Sequence, residues 1–271
     1  RTIANTYALD EEFDTENYEV TEDVVVRDLC RQSNPSNQKP DGSKQCHLRV
    51  HGLKTEVLNN DPKIIRIYNV ITPTEADHLR QVASTKLQRS TIHSGASGSQ
   101  TSNFRIAKTA WISGKEDPIV RRVEDRLSEA LGMRMEDSED LQVVNYGLGG
   151  FYGPHLDSVR STAVKRIDSV QAQKELQRND RYATILMYLN QVEAGGSTVF
   201  PKLNITIEPI ERSAVIWFNI REDGHSDERT LHTGCPVLLG SKWIATKWPR
   251  EAANSFSQPC KRLRANTSTR V

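Results

Sequence analysis

Tyr146-Gly147-Leu148-Gly149-Gly150-Phe151-Tyr152-Gly153-Pro154-His155-Leu156-Asp157 is the stretch that decides how this 271-residue chain folds. Side chains alternate along an extended strand, so His155 and Asp157, two apart, point to one face. An imidazole and a carboxylate side by side make two of the three ligands of a non-haem Fe(II) facial triad, with coordination positions left open. The third ligand should be a second histidine, far downstream, on a strand that pairs nearby. The glycines at 147, 149 and 150 do not make a nucleotide loop, because no helix start follows them.

The other histidines are His47, His51, His78, His93, His225 and His232. Only His232 stands just ahead of a late apolar run, Cys235–Leu239, that would carry it into the same sheet. Ten positions on comes Lys242, in Gly240-Ser241-Lys242-Trp243. A lysine buried in a β core is costly unless an anion pairs with it. A dicarboxylate that chelates iron at one end would offer its far carboxylate to such a lysine. Singly, His232 reads as a loop histidine and Lys242 as a turn lysine; jointly with His-x-Asp the pattern is specific.

Outward from that centre the chain is rich in short β runs: Leu141–Tyr146, Ala183–Leu189, Ser197–Phe200, Ala214–Asn219, Pro236–Leu239 and Trp243–Lys247. Turn signals at Glu193–Gly196 and Arg221–Gly224 separate them, which is the pattern of a sandwich or barrel. Upstream, Ile64–Tyr68 reads as a strand. Thr72-Pro73-Thr74-Glu75 is a helix start with a capping box, followed by Leu79, Val82, Ala83 and Leu87 at helical spacing. Asp117-Pro118 opens a second helix with Ile119, Val120, Val123, Leu127 and Leu131 on its apolar face, ended by Gly132. The Gly/Ser-rich Ser94–Ser102 segment is a flexible linker or a flap. Ser161–Asp180 interrupts the strands and is expected, like Ser94–Ser102, to act as a lid.

Charged residues make up 26% of the chain and the net charge is +1, so no global field favours nucleic acid or a membrane surface. No apolar run has the length of a transmembrane helix, and Arg1 does not begin a signal peptide. Cys30, Cys46, Cys235 and Cys260 contain no Cys-x-x-Cys, so structural zinc is not expected. Four cysteines allow three pairings; local pairing, Cys30 with Cys46 and Cys235 with Cys260, closes two modest loops and is preferred. With glycosylation acceptor patterns at Asn204 and Asn266, this favours an oxidising, secretory compartment, the endoplasmic reticulum lumen.

Residues from about 60 to 260 resemble the catalytic domain of the prolyl 4-hydroxylases, within the 2-oxoglutarate and Fe(II)-dependent dioxygenases, and most of all that of the collagen-type α subunit. The resemblance is carried by Leu141–Gly147, Tyr152–Asp157, Ala194-Gly195-Gly196-Ser197-Thr198-Val199-Phe200-Pro201, and Cys235–Leu238 running into Gly240–Trp243. It implies a mainly β fold with flanking helices, a double-stranded β-helix (jelly roll) with its core at about 140–250. An N-terminal extension, 1–59, would precede it and a basic tail, 261–271, would follow. It implies iron ligands His155, Asp157 and His232, and 2-oxoglutarate contacts from Lys242, Tyr146 and Thr198. Tyr152, Arg181, Trp248 and Glu139 match positions lining a peptide groove. The implied reaction is hydroxylation of peptidyl proline at C4 in proline-rich, collagen-like sequences, using dioxygen, with ascorbate as rescuing reductant and a protein disulfide isomerase subunit as a partner. A dioxygenase acting on another residue, such as lysine, and a non-catalytic jelly-roll binding module are the alternatives. Where the family has a hydrophobic residue and then His after Trp248, this chain has Pro249 and Arg250, so the preference around the target proline does not carry over.

Overall fold

The structure, a computed structural model, describes residues 25–30, 47–50, 52–94, 98–100, 104–158 and 179–254. The first strands are β1 (His47–Val50), β2 (Leu53–Asn60), β3 (Lys63–Ile67), β4 (Gln88–Arg89), β5 (Ile92–Ser94), β6 (Gly98–Gln100), β7 (Arg105–Ile106), β8 (Lys108–Ile112) and β9 (Leu141–Tyr146). Then follow β10 (Phe151–His155), β11 (Ala183–Tyr188), β12 (Ala194–Gly195), β13 (Thr198–Phe200) and β14 (Ile205–Ile207). The last are β15 (Ala214–Phe218), β16 (His232–Gly234), β17 (Val237–Leu239) and β18 (Lys242–Lys247). The helices are α1 (residues 25–30), α2 (Pro73–Ser84), α3 (Pro118–Leu131) and α4 (Glu251–Asn254). None of the described helices is long and apolar enough to cross a membrane.

Nine strands form one sheet in the order β1-β2-β3-β15-β11-β18-β9-β8-β4, and five form a second, β14-β13-β16-β10-β7. The expected jelly roll is these two antiparallel sheets closed on a shared core, to which the large sheet gives Val144, Leu186, Tyr188, Val215 and Ile244 and the small one Phe200 and Ile207. The middle strands β15, β11, β18 and β9 are buried on both faces, so they read as nearly continuous apolar runs, yet alternation still sorts them. Odd residues Leu141, Val143, Ile185, Met187 and Ala245 pack with α2 and α3. Even residues turn inward, and there the polar exceptions fall: Gln142, Thr184, Lys242 and Thr246 all line one cavity.

The helices form where the sequence places their signals. Thr72 and Glu75 complete a reciprocal capping box at α2, and Asp117 caps α3 by accepting from the Ile119 and Val120 amides. Gly132 closes α3 at φ 63°, in the left-handed region. Burial centres on Val120, Val123, Leu127 and Ala130, one step round from the expected face, so Ile119 and Leu131 are only half-buried. Glu75, itself buried, takes a bidentate pair from Arg126 of α3, and His78 Nε2 lies 2.8 Å from Asp117. The two helices are thereby joined by charge as well as by apolar packing.

Three expectations change. Cys30 is bonded to Cys235, across 205 residues, instead of to Cys46. The reason is packing at a distance: Leu29, at the end of α1, buries against Val199 and Cys235 and brings the two sulfurs together. The Cys235–Cys260 pairing falls with it, while Cys46, Cys260 and Asn266 lie outside the described residues. Within Ser94–Ser102, β5 and β6 pair as a hairpin; residues 95–97 and 101–103, and 159–178 of the second expected lid, lie outside the described residues. The large sheet also extends across the expected boundary near residue 60, because β2 pairs along β3.

Burial works against a charge on Asp117, but His78 and the two capping amides outweigh it and hold the carboxyl below the usual carboxylate range. Its contribution to stability is therefore present above the ordinary value of 3.8 and lost as pH falls through the depressed one. Asp117→Ala should lower stability at neutral pH by about 1–2 kcal/mol. Urea unfolding with an unchanged m-value and a lowered midpoint is the expected result.

Candidate metal centre and groove

Register places the centre. β10 and β16 run antiparallel with His155 directly opposite His232, so two imidazoles far apart in sequence become cross-strand neighbours. β10 ends at His155, and Asp157 sits in the bend beyond it; it is this turn of the chain, more than strand alternation, that returns its carboxylate to the rings. The ligating atoms of His155, Asp157 and His232 lie within 4.8 Å of one another. Each histidine Nε2 is 3.8 Å from an Asp157 oxygen, too far to hydrogen-bond. The gap suits an ion held at about 2.0–2.2 Å by each ligand.

Each ring is oriented from behind. His155 Nδ1 lies 2.8 Å from the Gly153 carbonyl and His232 Nδ1 2.9 Å from that of Thr230. A carbonyl can only accept, so both Nδ1 atoms carry the proton and both Nε2 lone pairs face the centre. Burial, with His232 beside it, pushes the His155 pKa down to about 3, so the ring is neutral and ready to ligate. Asp157 accepts from Thr184 Oγ1 at 2.6 Å, and Thr184 accepts in turn from Asn219 Nδ2 at 2.9 Å. Burial would raise the Asp157 carboxyl, yet the imidazoles when protonated, the Arg181 charge and the Thr184 hydroxyl outweigh it and hold the carboxyl down at about 2. Tyr152 stacks on His155 at 3.6 Å, and Trp217 and Phe200 pack against His232. Two imidazoles and a carboxylate, buried and pre-aimed, fit a divalent cation such as Fe(II).

The cavity over this centre measures about 350 Å³. Lys242, the first residue of β18, is only 3% exposed and has no hydrogen-bonding or ion-pair partner among the described residues. Its ammonium lies 5.6 Å from the ring centroids of Tyr146 and Tyr188, and burial lowers its pKa to about 7. Gly195 and Gly196, both at positive φ, make the room: a Cβ on Gly196 would sit 3.2 Å from the lysine Cδ, and one on Gly195 would strike the Pro236 carbonyl. Thr198, buried, shares a 3.0 Å hydrogen bond with the Tyr188 hydroxyl. Tyr146, Thr198 and Lys242 thus meet in one corner.

The other wall is a charge clamp. Arg181 donates twice to Glu139, at 2.6 and 2.7 Å, and its guanidinium lies 3.8 Å over the Trp248 ring. Arg250, the departure from the family pattern, donates to the same Glu139 at 2.6 Å. Lys247, on the outer face of β18, binds the Glu139 carbonyl and, at 2.5 Å, Glu124 of α3. All ten site residues expected from sequence come to one cavity or its rim. Thr184, Asn219, Tyr188 and Arg105 were missed. The signal available for the first was the one aliphatic hydroxyl inside the apolar and aromatic run Ala183–Leu189.

Comparison with known proteins follows the same lines. Residues 141–250 match the 2OG-Fe(II) oxygenase superfamily. The chain is 38% identical over 250 residues to the prolyl 4-hydroxylase subunit alpha-2 of Caenorhabditis elegans, covering 88% of this chain and 45% of that one. It is 38% identical over 221 residues to the human prolyl 4-hydroxylase subunit alpha-1, covering 81% of this chain and 40% of the relative. The chain therefore spans less than half the length of these relatives. In fold it is similar to the viral collagen prolyl hydroxylase of Paramecium bursaria Chlorella virus-1 solved with 2OG: TM-score 0.51, 24% identity, 69% of this chain and 95% of that one.

Thr184→Val removes the donor that fixes Asp157 and strands the Asn219 amide. Fe(II) or Mn(II) affinity, read by calorimetry, should fall by about tenfold to a hundredfold, and His155→Ala or His232→Ala should fall further. Circular dichroism should be unchanged in all three. Metal binding within a few-fold of the parent would remove the ion from this centre.

Proposed function

We propose, on the premise that the chain carries a 2OG-Fe(II) oxygenase domain over residues 141–250 and is a relative of the prolyl 4-hydroxylase α subunits, that it hydroxylates peptidyl proline at C4 in proline-rich sequences. The single observation that carries this is the buried, unpartnered Lys242 facing the His155–Asp157–His232 centre across one cavity. An ammonium there needs an anion, and the metal-binding end of a dicarboxylate fixes where that anion arrives. When bound, the iron supplies the oxidising chemistry, consuming dioxygen and 2-oxoglutarate and yielding succinate and carbon dioxide, with ascorbate as the reductant that keeps it ferrous.

The chain's own residues do the rest. His155, Asp157 and His232 would hold the ion at the floor of the cavity. Lys242, with Tyr146 and Thr198 beside it, holds the far carboxylate of 2-oxoglutarate. Tyr152, stacked on His155, and Trp248, capped by the Arg181 guanidinium, give the groove an aromatic lining, which suits a polyproline II peptide that is already extended and loses little entropy on docking. Glu139, held by Arg181 and Arg250, fixes the guanidinium that covers Trp248. The Cys30–Cys235 disulfide supports an oxidising compartment, the endoplasmic reticulum lumen, where Asn204, exposed on a turn, is accessible for glycosylation. Assembly with a protein disulfide isomerase subunit belongs to the same proposal.

The direct test is 2-oxoglutarate turnover with a (Pro-Pro-Gly)-type peptide against the same peptide lacking proline, with product mass analysis. Succinate production coupled to a hydroxylated proline is expected. Coupling to lysine instead would make it a different peptidyl dioxygenase, and succinate with no peptide tried would leave a binding module.

The lysine also sets a pH dependence. With its pKa lowered by burial to about 7, Lys242 is charged below that value and must take up a proton to bind a dianion above it. Affinity for 2-oxoglutarate, measured calorimetrically with Mn(II), should be level below pH 7 and weaken toward about tenfold per unit above it. Lys242→Arg, which stays charged, should flatten the upper limb. A parent curve already flat to pH 8.5 would contradict this.

A further inference from the structure

The two metal-centre histidines lean on acceptors of unequal standing. His155 Nδ1 donates to the Gly153 carbonyl. Gly153 lies inside β10, and its own amide donates to the Phe104 carbonyl, so the sheet holds that acceptor in place. His232 Nδ1 donates to the Thr230 carbonyl. His232 is the first residue of β16, so Thr230 precedes the strand and belongs to a single 3-10 turn, Glu228–Thr230. No ladder fixes that carbonyl, and one short turn with poor hydrogen-bond geometry has little rigidity of its own.

What fixes the turn is Asp227, a carboxylate only 5% exposed. Its Oδ1 accepts from the Arg229 amide at 3.0 Å and caps the turn. The Arg229 side chain folds back on the same carboxylate, with Nε on Oδ1 at 2.9 Å and Nη2 on Oδ2 at 2.7 Å. A bidentate pair of this kind is what makes a buried carboxylate tolerable. The Asp227 carbonyl takes the Thr230 amide at 3.0 Å and the Thr230 hydroxyl at 2.7 Å. Thr230 thus spends both its donors on Asp227 and gives its carbonyl to His232. Outward, Arg229 reaches Asp61, in the turn between β2 and β3, at 3.0 and 3.1 Å. Inward, the Asp227 amide donates to the Asn219 carbonyl at 2.9 Å, and the Asn219 side chain supports Asp157 through Thr184. Asp227 does not itself line the cavity.

We infer that the Asp227 carboxylate, clamped by Arg229, is a positioning group of the metal centre: it holds the Thr230 carbonyl where His232 must keep its proton on Nδ1 and its lone pair on Nε2. Which nitrogen of an imidazole carries the proton is set by the hydrogen bond that the other makes. With the turn released, Nδ1 loses its acceptor and the ring is free to carry its proton on Nε2, where it blocks an ion. A plain cap would stabilise the turn and leave the ring alone. The inference rests on the metal centre and is independent of which peptide is hydroxylated.

The test reads the rings directly in the metal-free chain. Two-bond nitrogen–proton correlation spectra of isotope-labelled histidines distinguish the two tautomers, and spectra of His155→Gln and His232→Gln assign the rings. In the parent both rings should show the Nδ1–H pattern. In Asp227→Ala the His232 ring should lose it while His155 keeps it. Mn(II) affinity, read by calorimetry, should fall with it by about tenfold to a hundredfold, the scale for lost support behind a metal ligand. Asp227→Asn keeps a capping oxygen without the ion pair and should lie between the two, which serves as the test if the alanine variant does not fold. Arg229→Gln should behave like Asp227→Asn. Glu228→Gln, exposed on the same turn, should match the parent in both readouts. A His232 ring that keeps the Nδ1–H pattern in the folded Asp227 variants reduces Asp227 to a cap and overturns the inference, whatever the affinity does. Parent-like Mn(II) binding in a variant whose His232 tautomer has changed overturns it too, as does loss of both ring patterns together, which would be general loosening. A parent that shows both Nδ1–H rings but binds no Mn(II) would sink the metal centre itself, and the inference with it.

Discussion

The pairing of β10 with β16, which sets His155 opposite His232, is the constraint on which everything else depends. Side-chain period in a strand is two, so a slip of one residue would send one imidazole to the opposite face. Several features fix that register. Thr233 Oγ1 donates to the Tyr152 carbonyl across the pair, and β16 is held on its other edge by β13. Trp217 and Phe200 close around His232. Phe104 fills the space a Cβ on Gly153 would need, so the strand can bend there and present the carbonyl that orients His155. Beyond the strand end the chain turns Asp157 back into the centre, where Thr184 and Asn219 receive it.

Around that centre the protein keeps polar groups buried under three different arrangements. Asp157 is satisfied by donors. Glu139 is over-satisfied, with two arginines on its carboxylate and a lysine on its backbone. Lys242 has no hydrogen-bonding or ion-pair partner among the described residues. The first two arrangements give rigidity; the third gives affinity for something not part of the chain. A cavity whose walls are fixed and whose lysine is unsatisfied is a preorganised anion receptor, and its electrostatic energy is released on binding.

Much of this was legible in the sequence, and the parts that were not share a cause. The helix limits could be read because capping is local: Thr72, Asp117 and Gly132 act within a few residues of themselves. The site could be read because His155, Asp157, His232 and Lys242 belong to motifs whose residue types have little other use in a β core. Thr184, Asn219 and Tyr188 were hidden because they are ordinary residues in ordinary strands, made functional only by what stands across the sheet. Arg105 was hidden by its place beside a Gly/Ser-rich segment. The disulfide misled for a related reason. Loop length favours local pairing, but Leu29 packing on Val199 decided which sulfurs met, and packing between residues so far apart leaves no periodic trace.

β18 carries two lysines five positions apart, one on each face: Lys242 looks into the cavity and Lys247 out toward α3. Between them Ile244 and Thr246 line the inside while Ala245 packs on the helices. Point substitutions here can be absorbed one side chain at a time, but a gain or loss of a single residue cannot. It would turn the cavity lysine outward for part of the strand and drive apolar packing residues toward the metal. Lineages descending from this chain can therefore vary the composition of β18 while its length stays frozen. Insertions have room only at its ends, in the Leu239–Ser241 turn or beyond Trp248, and the second of these is where Pro249 and Arg250 depart from the family pattern.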